Sequence, residues 1–97
     1  DPDIDAVFAS SDMQALGALR AAEEAGRRVP EDLALVGFDD IELSRYVGLT
    51  TLRQPARAIG RRAAEQLVRR MECTSDTVSS TLFVPELIVR RSCGSEA

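Results

Sequence analysis

The chain has 97 residues, of which 44% are hydrophobic, and a formal net charge of −4. This length allows at most one ordinary domain, the apolar content argues against intrinsic disorder, and the acidic balance disfavours direct binding to a phosphate backbone. The sequence predicts neither a membrane span nor a signal peptide.

The charges are unevenly distributed along the chain. Residues 1–42 carry 11 acidic and 3 basic side chains, whereas the remainder carries 5 acidic and 9 basic, and all 12 basic residues are arginine. A nucleic-acid surface in the basic half and electrostatic complementarity between the halves both account for this split. A basic patch is necessary for DNA binding but does not establish it.

The composition also argues against catalysis and metal binding. The chain has no histidine, and Cys73 and Cys93 match no metal or redox spacing. We therefore expect no metal, no cofactor and two reduced thiols. A serine or cysteine nucleophile would lack its commonest base, and the adjacent Asp39 and Asp40 would point to opposite sides of an extended segment rather than share a proton. We predict that the protein is not an enzyme.

The first predicted element is a short buried strand at Ala6–Ala9, an apolar run flanked by polar residues. A helix follows it. Ser11 and Gln14 fit a capping box, in which the hydroxyl accepts a backbone N–H and the Gln side chain reaches back to the cap residue. Asp12 would lie in the first helical turn, where the helix dipole favours a negative charge.

This helix is predicted from Asp12 to Ala25, with an apolar stripe along one side. Gly26 is suited to ending it in the left-handed conformation. Gly17, inside the helix, costs about 1 kcal/mol relative to alanine, and we interpret it as a point where another backbone approaches closely.

The continuous apolar run Leu33–Phe38 is typical of a strand that is buried on both faces. The order strand, helix, strand predicts a βαβ unit and therefore a parallel sheet. Asp39 and Asp40 follow this strand directly, and ligands of open α/β sheets bind outside the carboxyl ends of the strands. We interpret Asp40 as a cap for the turn that follows.

The next part of the chain predicts a long helix after two short elements. A helical turn is expected around Ile41–Val47 and an extended segment at Leu49–Gln54. Pro55 suits the first turn of a helix, and apolar residues repeat at helical spacing from Ala56 to Met71.

The end of the chain predicts a loop and two strands. Thr74–Ser80 is expected to be a surface loop. Leu82–Val84 and Leu87–Val89 are predicted to be strands separated by Pro85, and the tail Ser92–Ala97 is expected to fray.

Seven stretches closely resemble the end of the effector-binding domain of lactose/galactose-repressor (LacI/GalR) family regulators. In the family's order they are DAVFA (5–9), ALGAL (15–19), VPEDL (29–33), VGFDD (36–40), LTTLRQP (49–55), GRRAA (60–64) and PEL (85–87). The resemblance implies an α/β fold, a parallel sheet with flanking helices. This fold would be the C-terminal lobe of a type I periplasmic-binding-protein-like domain with a crossover helix of the N-terminal lobe.

The same resemblance implies a division of the chain between the two lobes. Residues 1–54 would be a segment of the C-terminal lobe, 55–84 a crossover segment of the N-terminal lobe, and 85–97 the return strand and tail.

The resemblance implies that Asp39 is an effector-binding carboxylate in the cleft between the lobes, the alternative being a turn-forming or helix-capping role. Ser11 stands where family members often have an asparagine that contacts the effector. It either caps the helix only or caps it and contacts the ligand. Gln54 matches a crossover position that lines the cleft in relatives, with a purely structural role as the alternative.

Leu16, Arg20 and Tyr46 fall where relatives form a dimer interface. The alternatives are a core position for Leu16 and an ordinary surface position for Tyr46. The resemblance thus implies a homodimer, in which operator DNA is contacted only through an N-terminal headpiece absent from this chain.

The function implied is the ligand-sensing and dimerisation part of a cytoplasmic bacterial transcriptional regulator, expected to be a repressor, with a sugar-like effector and no membrane partner. The main alternative is a periplasmic solute-binding protein of a sugar transporter, and a third is a dimerisation module without a ligand. If the 97 residues stand alone, the apolar face of the Pro55–Met71 helix needs another partner. We then expect the isolated segment to dimerise and to bind effector weakly.

Overall fold

The computed structural model describes residues 3–72 and 81–94, in which short strands alternate with helices. The strands are β1 (Ala6–Phe8), β2 (Ala34–Val36), β3 (Thr51–Arg53) and β4 (Glu86–Ile88). The helices are α1 (Asp12–Glu24), α2 (Glu42–Val47) and α3 (Ala56–Glu72), and a 3₁₀ turn spans Arg91–Cys93.

The four strands form two two-stranded sheets, which one isolated bridge connects. β1 pairs in parallel with β2, placing Val7 opposite Leu35. A parallel bridge between Val36 and Thr50 joins β2 to the segment that leads into β3, and β4 pairs antiparallel with β3. The predicted α/β class, a parallel sheet with flanking helices, is confirmed.

The chain divides into two compact units. The first contains the described residues up to Arg53 together with those from Glu86 onward, and the second is Gln54–Pro85. The first unit therefore holds the four strands with α1 and α2, whereas the second holds α3. The assignment of these segments to two lobes stays a prediction.

The core of the first unit is small and centred on β2. Leu35, on β2, is fully buried, but Phe8 on β1 is 62% exposed. The predicted burial of the first strand is therefore wrong for Ala6 and Phe8, because β1 pairs only with β2 and the described residues leave this face uncovered. The core cluster consists of Ala9, Ala15, Leu35 and Leu49, with Val7, Ala18, Leu19, Val29 and Val47 packed against it.

Helix α1 begins and ends as the sequence predicts. The Ser11 hydroxyl accepts the Gln14 N–H at 3.2 Å, and Gly26 is left-handed with φ of 72°. The Gln14 side chain differs from the predicted capping box, since its oxygen accepts from the Ser10 hydroxyl. The close approach predicted at Gly17 is not seen: a Cβ added there would have no atom of the described chain within 4 Å.

Helix α3 forms over the predicted residues but stays uncovered. The Pro55 carbonyl accepts the Ile59 N–H at 2.9 Å, which starts the helix. None of the residues of α3 is buried, and Leu67 and Met71 are 61% and 77% exposed. The apolar stripe is therefore present, without a partner among the described residues.

The end of the chain departs from two predictions. Leu82–Val84 is not a strand, because no described strand pairs with it. Ser92 does not fray: it is 5% exposed, and its hydroxyl donates to the Leu35 carbonyl at 2.6 Å and accepts the Thr50 N–H at 2.8 Å. The predicted loop Thr74–Ser80 lies outside the described residues.

Only one of the two cysteines lies among the described residues. Cys93 is a free thiol, whereas Cys73 lies outside the described residues, so the reduced state of both stays a prediction.

Candidate functional site

Polar residues gather where the parallel strands end. Ser11 follows β1, and Asp39 follows β2. The Ala9 N–H donates to the Val36 carbonyl at 2.8 Å, and the Asp39 N–H donates to the Leu52 carbonyl at 2.8 Å. The chain thus leaves β1 and β2 in register at the carboxyl edge of the sheet, where α/β proteins bind ligands.

Asp39 lies in a loop with unusual backbone geometry, the 38–41 loop (Phe38–Ile41). Its φ is 122°, and that of Asp40 is 56°, a region that residues with a Cβ rarely adopt. The Asp39 side chain is exposed, and an ionised carboxylate only accepts hydrogen bonds. Strained backbone beside an exposed acceptor is a combination that is common at ligand sites.

Asp40 is held by two arginines. Its carboxylate accepts from Arg53 Nε at 2.8 Å and from Arg90 Nη1 at 2.9 Å, and only 9% of its side chain is exposed. Burial raises the pKa of Asp40, but the hydrogen bonds from Arg53 and Arg90 outweigh it and hold the pKa below its usual value. The predicted capping role is wrong: α2 has no side-chain cap, because the Asp40 carboxylate is turned to the arginines.

Asp12 occupies a position that the sequence does not reveal. It begins α1, as predicted, but its side chain is fully buried. Its carboxylate accepts the Ile41 N–H at 2.9 Å, the Ser44 hydroxyl at 2.5 Å and the Thr51 hydroxyl at 2.6 Å. One buried group therefore joins the starts of α1 and α2 to β3. The only signal in the sequence is a Ser-Asp pair after a strand, which predicts a helix cap alone.

The remaining predicted site residues occupy different places. Ser11 is half-buried beside the 38–41 loop, because the next residue, Asp12, donates its N–H to the Phe38 carbonyl at 2.9 Å. Gln54 is half-buried and opens the second unit. Contact of either side chain with a ligand stays a prediction.

The residues predicted to form a dimer interface lie on α1 and α2. Leu16 is half-buried, Arg20 is exposed and pairs with Glu24 at 3.0 Å, and Tyr46 is 72% exposed. A groove of about 610 Å³ beside Tyr46 is lined also by Leu19 and by the segment that follows α1. Exposure of Arg20 and Tyr46 leaves these two side chains available for a partner, and the interface itself stays a prediction.

Two classes of site are not found among the described residues. They contain no group of three or more potential metal ligands and no helix long and apolar enough to cross a membrane. A groove of about 660 Å³ runs along α3 near Phe83. We do not assign it to a ligand, since arginine side chains and uncovered apolar surface form most of its lining.

Comparison with known proteins gives a consistent family. The family model of the periplasmic binding protein-like domain matches residues 1–93. The regulator MalR of Streptomyces coelicolor, a curated relative, is 44% identical over 95 residues, which are 96% of this chain and 28% of MalR. The chain thus spans just over a quarter of that relative.

Solved structures agree with the sequence relatives. The transcriptional regulator CelR in complex with cellobiose superimposes with a TM-score of 0.87 at 41% identity, covering 94% of this chain and 28% of CelR. A LacI-family regulator from Enterococcus faecium with bound ribose gives a TM-score of 0.81 at 32% identity, covering 95% of this chain and 35% of the regulator.

These proteins are named as transcriptional regulators rather than as enzymes or transport proteins. The agreement of family model, relatives and structures extends over nearly the whole chain. The chain belongs to the periplasmic binding protein-like domain family and, within it, to the effector-binding domains of LacI/GalR-family transcriptional regulators.

Proposed function

We propose that this chain is the sensing part of a bacterial transcriptional regulator and that Asp39 binds a sugar-like effector. The observation that carries the proposal is the exposed Asp39 carboxylate, on a strained loop at the carboxyl edge of parallel strands. An anionic acceptor makes short, strong hydrogen bonds to hydroxyl groups. Sugars present several hydroxyls, and two of the similar structures contain cellobiose and ribose.

The proposal assigns roles to the other candidate residues. Residues 1–54 and 85–97 would belong to the C-terminal lobe and 55–84 to the N-terminal lobe, with the effector between the lobes. Ser11 and Gln54 would contact the effector through neutral hydrogen-bonding groups, in addition to the charged group of Asp39. The boundaries of the two compact units, at Arg53–Gln54 and Pro85–Glu86, support this division.

The proposal also covers assembly and DNA binding. Leu16, Arg20 and Tyr46 would contact a second copy of the chain, which their positions on α1 and α2 support. Operator DNA would be bound in the cytoplasm through an N-terminal headpiece outside this chain, since a net charge of −4 disfavours DNA binding by the chain itself. The regulator is favoured over a periplasmic solute-binding protein because the similar proteins are named as regulators.

The test is calorimetric titration of the full-length regulator with cellobiose and ribose. Replacing Asp39 by Asn removes a charged acceptor, a loss of about 1.5–3 kcal/mol or at least tenfold in affinity. Asp5→Asn is the matched control, because Asp5 is an exposed carboxylate just before β1, at the opposite edge of the sheet. Equal affinities of wild type and Asp39→Asn would contradict the proposed role of Asp39.

A further inference from the structure

We infer that Asp12 is the positioning residue of the effector site, because it fastens both ends of the 38–41 loop that carries Asp39; this inference rests on the proposed function. The Asp12 backbone N–H donates to the Phe38 carbonyl at 2.9 Å, at the start of the loop. Its carboxylate accepts the Ile41 N–H at 2.9 Å, at the end. One residue thus brackets the whole loop.

The loop needs such fastening because of its backbone conformation. Asp39 and Asp40, the two residues between the brackets, both have positive φ values, and an L residue left unconstrained returns to negative φ. The backbone angles of Asp39 set the direction in which its carboxylate leaves the chain. Releasing either end of the loop would therefore move the Asp39 carboxylate, which is the proposed acceptor for the effector's hydroxyl groups.

A carboxylate suits this position better than any other side chain of its size. Three donors converge on it: Oδ2 receives the Ile41 N–H and the Ser44 hydroxyl, and Oδ1 receives the Thr51 hydroxyl. A carboxylate offers two accepting oxygens, whereas asparagine offers one oxygen and two N–H donors. Because Asp12 is fully buried, water cannot replace a lost acceptor easily.

The neighbouring glycine supports the same reading of Asp12. A Cβ at Gly37 would collide with Asp12 Oδ1 and come within 3.1 Å of Leu49 Cδ2. The carboxylate therefore lies directly against the backbone that leads from β2 into the loop. Through Ser44 it also reaches α2, the helix that carries Tyr46, so that the loop and the proposed dimer surface share one buried anchor.

The test compares three variants of the full-length regulator with wild type. Asp12→Ala removes all three acceptor contacts, and the isosteric Asp12→Asn keeps one accepting oxygen. Ser92→Ala is the matched control, since Ser92 is also buried and also bonds two backbone groups, at Leu35 and Thr50, away from the loop. The readouts are affinity for cellobiose and ribose by calorimetry, hydrogen exchange of the Ile41 amide, and the unfolding temperature.

We expect Asp12→Ala to weaken sugar binding and to speed exchange of the Ile41 amide, each by about tenfold or more, as fits the loss of a charged acceptor. Asp12→Asn should fall between it and wild type, and it decides the question if the alanine variant does not fold. Ser92→Ala should lower the unfolding temperature while its affinity stays within about twofold of wild type.

Two results would overturn the inference: wild-type affinity and exchange in Asp12→Asn and Asp12→Ala, or an equal loss of affinity in Ser92→Ala. If wild type binds neither sugar, the proposed function fails for these ligands. The exchange rate of the Ile41 amide then still decides whether Asp12 fastens the loop.

Discussion

The two units of the chain differ in how their secondary structure is stabilised. In the first unit, Leu35 and Leu49 form an apolar core, and beside it the buried Asp12 joins three segments through hydrogen bonds. In the second unit, α3 has an apolar stripe but no buried residue. The comparison shows that a strong amphipathic pattern specifies a helix without specifying what covers it, because burial requires a second surface.

The arginines of the two units also differ, in their exposure and in the ion pairs that they form. In the first unit, the Arg90 side chain is 16% exposed and donates to the Asp40 carboxylate and to the Leu49 carbonyl. On α3, Arg62 approaches Glu65 only at 3.9 Å, and the two side chains are 34% and 53% exposed. A pair of that kind contributes little to stability. Substitutions matched between the units therefore test whether the difference is energetic as well as geometric.

The largest expected effect is in the core of the first unit. Leu35→Ala should cost about 2–5 kcal/mol in free energy of unfolding, because it leaves a cavity beneath β2. The matched change Leu67→Ala on α3, where the side chain is 61% exposed, should stay within about 0.5 kcal/mol. Urea denaturation of the 97-residue chain measures both. A large loss for Leu67→Ala would mean that another copy of the chain covers α3.

The next effect concerns the Asp40 ion pairs. Asp40→Asn should destabilise the chain by about 2–3 kcal/mol at pH 7, because Arg90 loses a buried charged partner. Glu24→Gln, which breaks the exposed pair with Arg20, should change the free energy of unfolding by less than about 0.5 kcal/mol.

The same variant has a defined pH dependence. The folded-state pKa of Asp40 is lowered from its usual 3.8, so the stabilisation by its charge is fully present above pH 3.8 and is lost as the pH falls through the lower folded-state pKa. The difference between wild type and Asp40→Asn should shrink below pH 3.8. A difference that is constant from pH 7 down to acid unfolding would count against the ion pairs as its source.

The smallest effect contrasts two glycines. Gly37→Ala should cost about 1–3 kcal/mol, because the new methyl group collides with Asp12 and Leu49 in a packed region. Gly60→Ala on α3 meets no atom of the described residues within 4 Å and should raise stability by up to about 1 kcal/mol, through helix propensity. Thermal unfolding measures whether Gly37→Ala lowers the unfolding temperature and Gly60→Ala raises it. A lower unfolding temperature in both variants would contradict this difference between the units.

Much of the fold could be predicted from local patterns. The start of α1 at Ser11, its end before Gly26 and the position of α3 after Pro55 depend on capping, backbone conformation and apolar spacing, which act within a few residues. The prediction of a strand at Leu82–Val84 was wrong, because a strand exists only if another backbone pairs with it, and no described strand pairs with these residues.

In the candidate site, too, local patterns predict one residue and miss others. Asp39 could be singled out because it follows an apolar strand, and strand ends are where α/β proteins place ligands. The roles of Asp12 and Asp40 could not, because Asp12 finds its partners 29, 32 and 39 residues away and Asp40 finds its arginines 13 and 50 residues away. No spacing rule in the sequence connects residues so far apart.

By itself, the sequence determined where the three helices and the four strands lie, the α/β class and the position of one carboxylate at the end of a strand. Only the tertiary structure decided that Asp12 is the buried anchor, that Asp40 is turned to two arginines and that α3 remains uncovered in the described chain. The reason is physical: caps and periodicity act between near neighbours, whereas burial and charge pairing depend on which distant segments fold against each other.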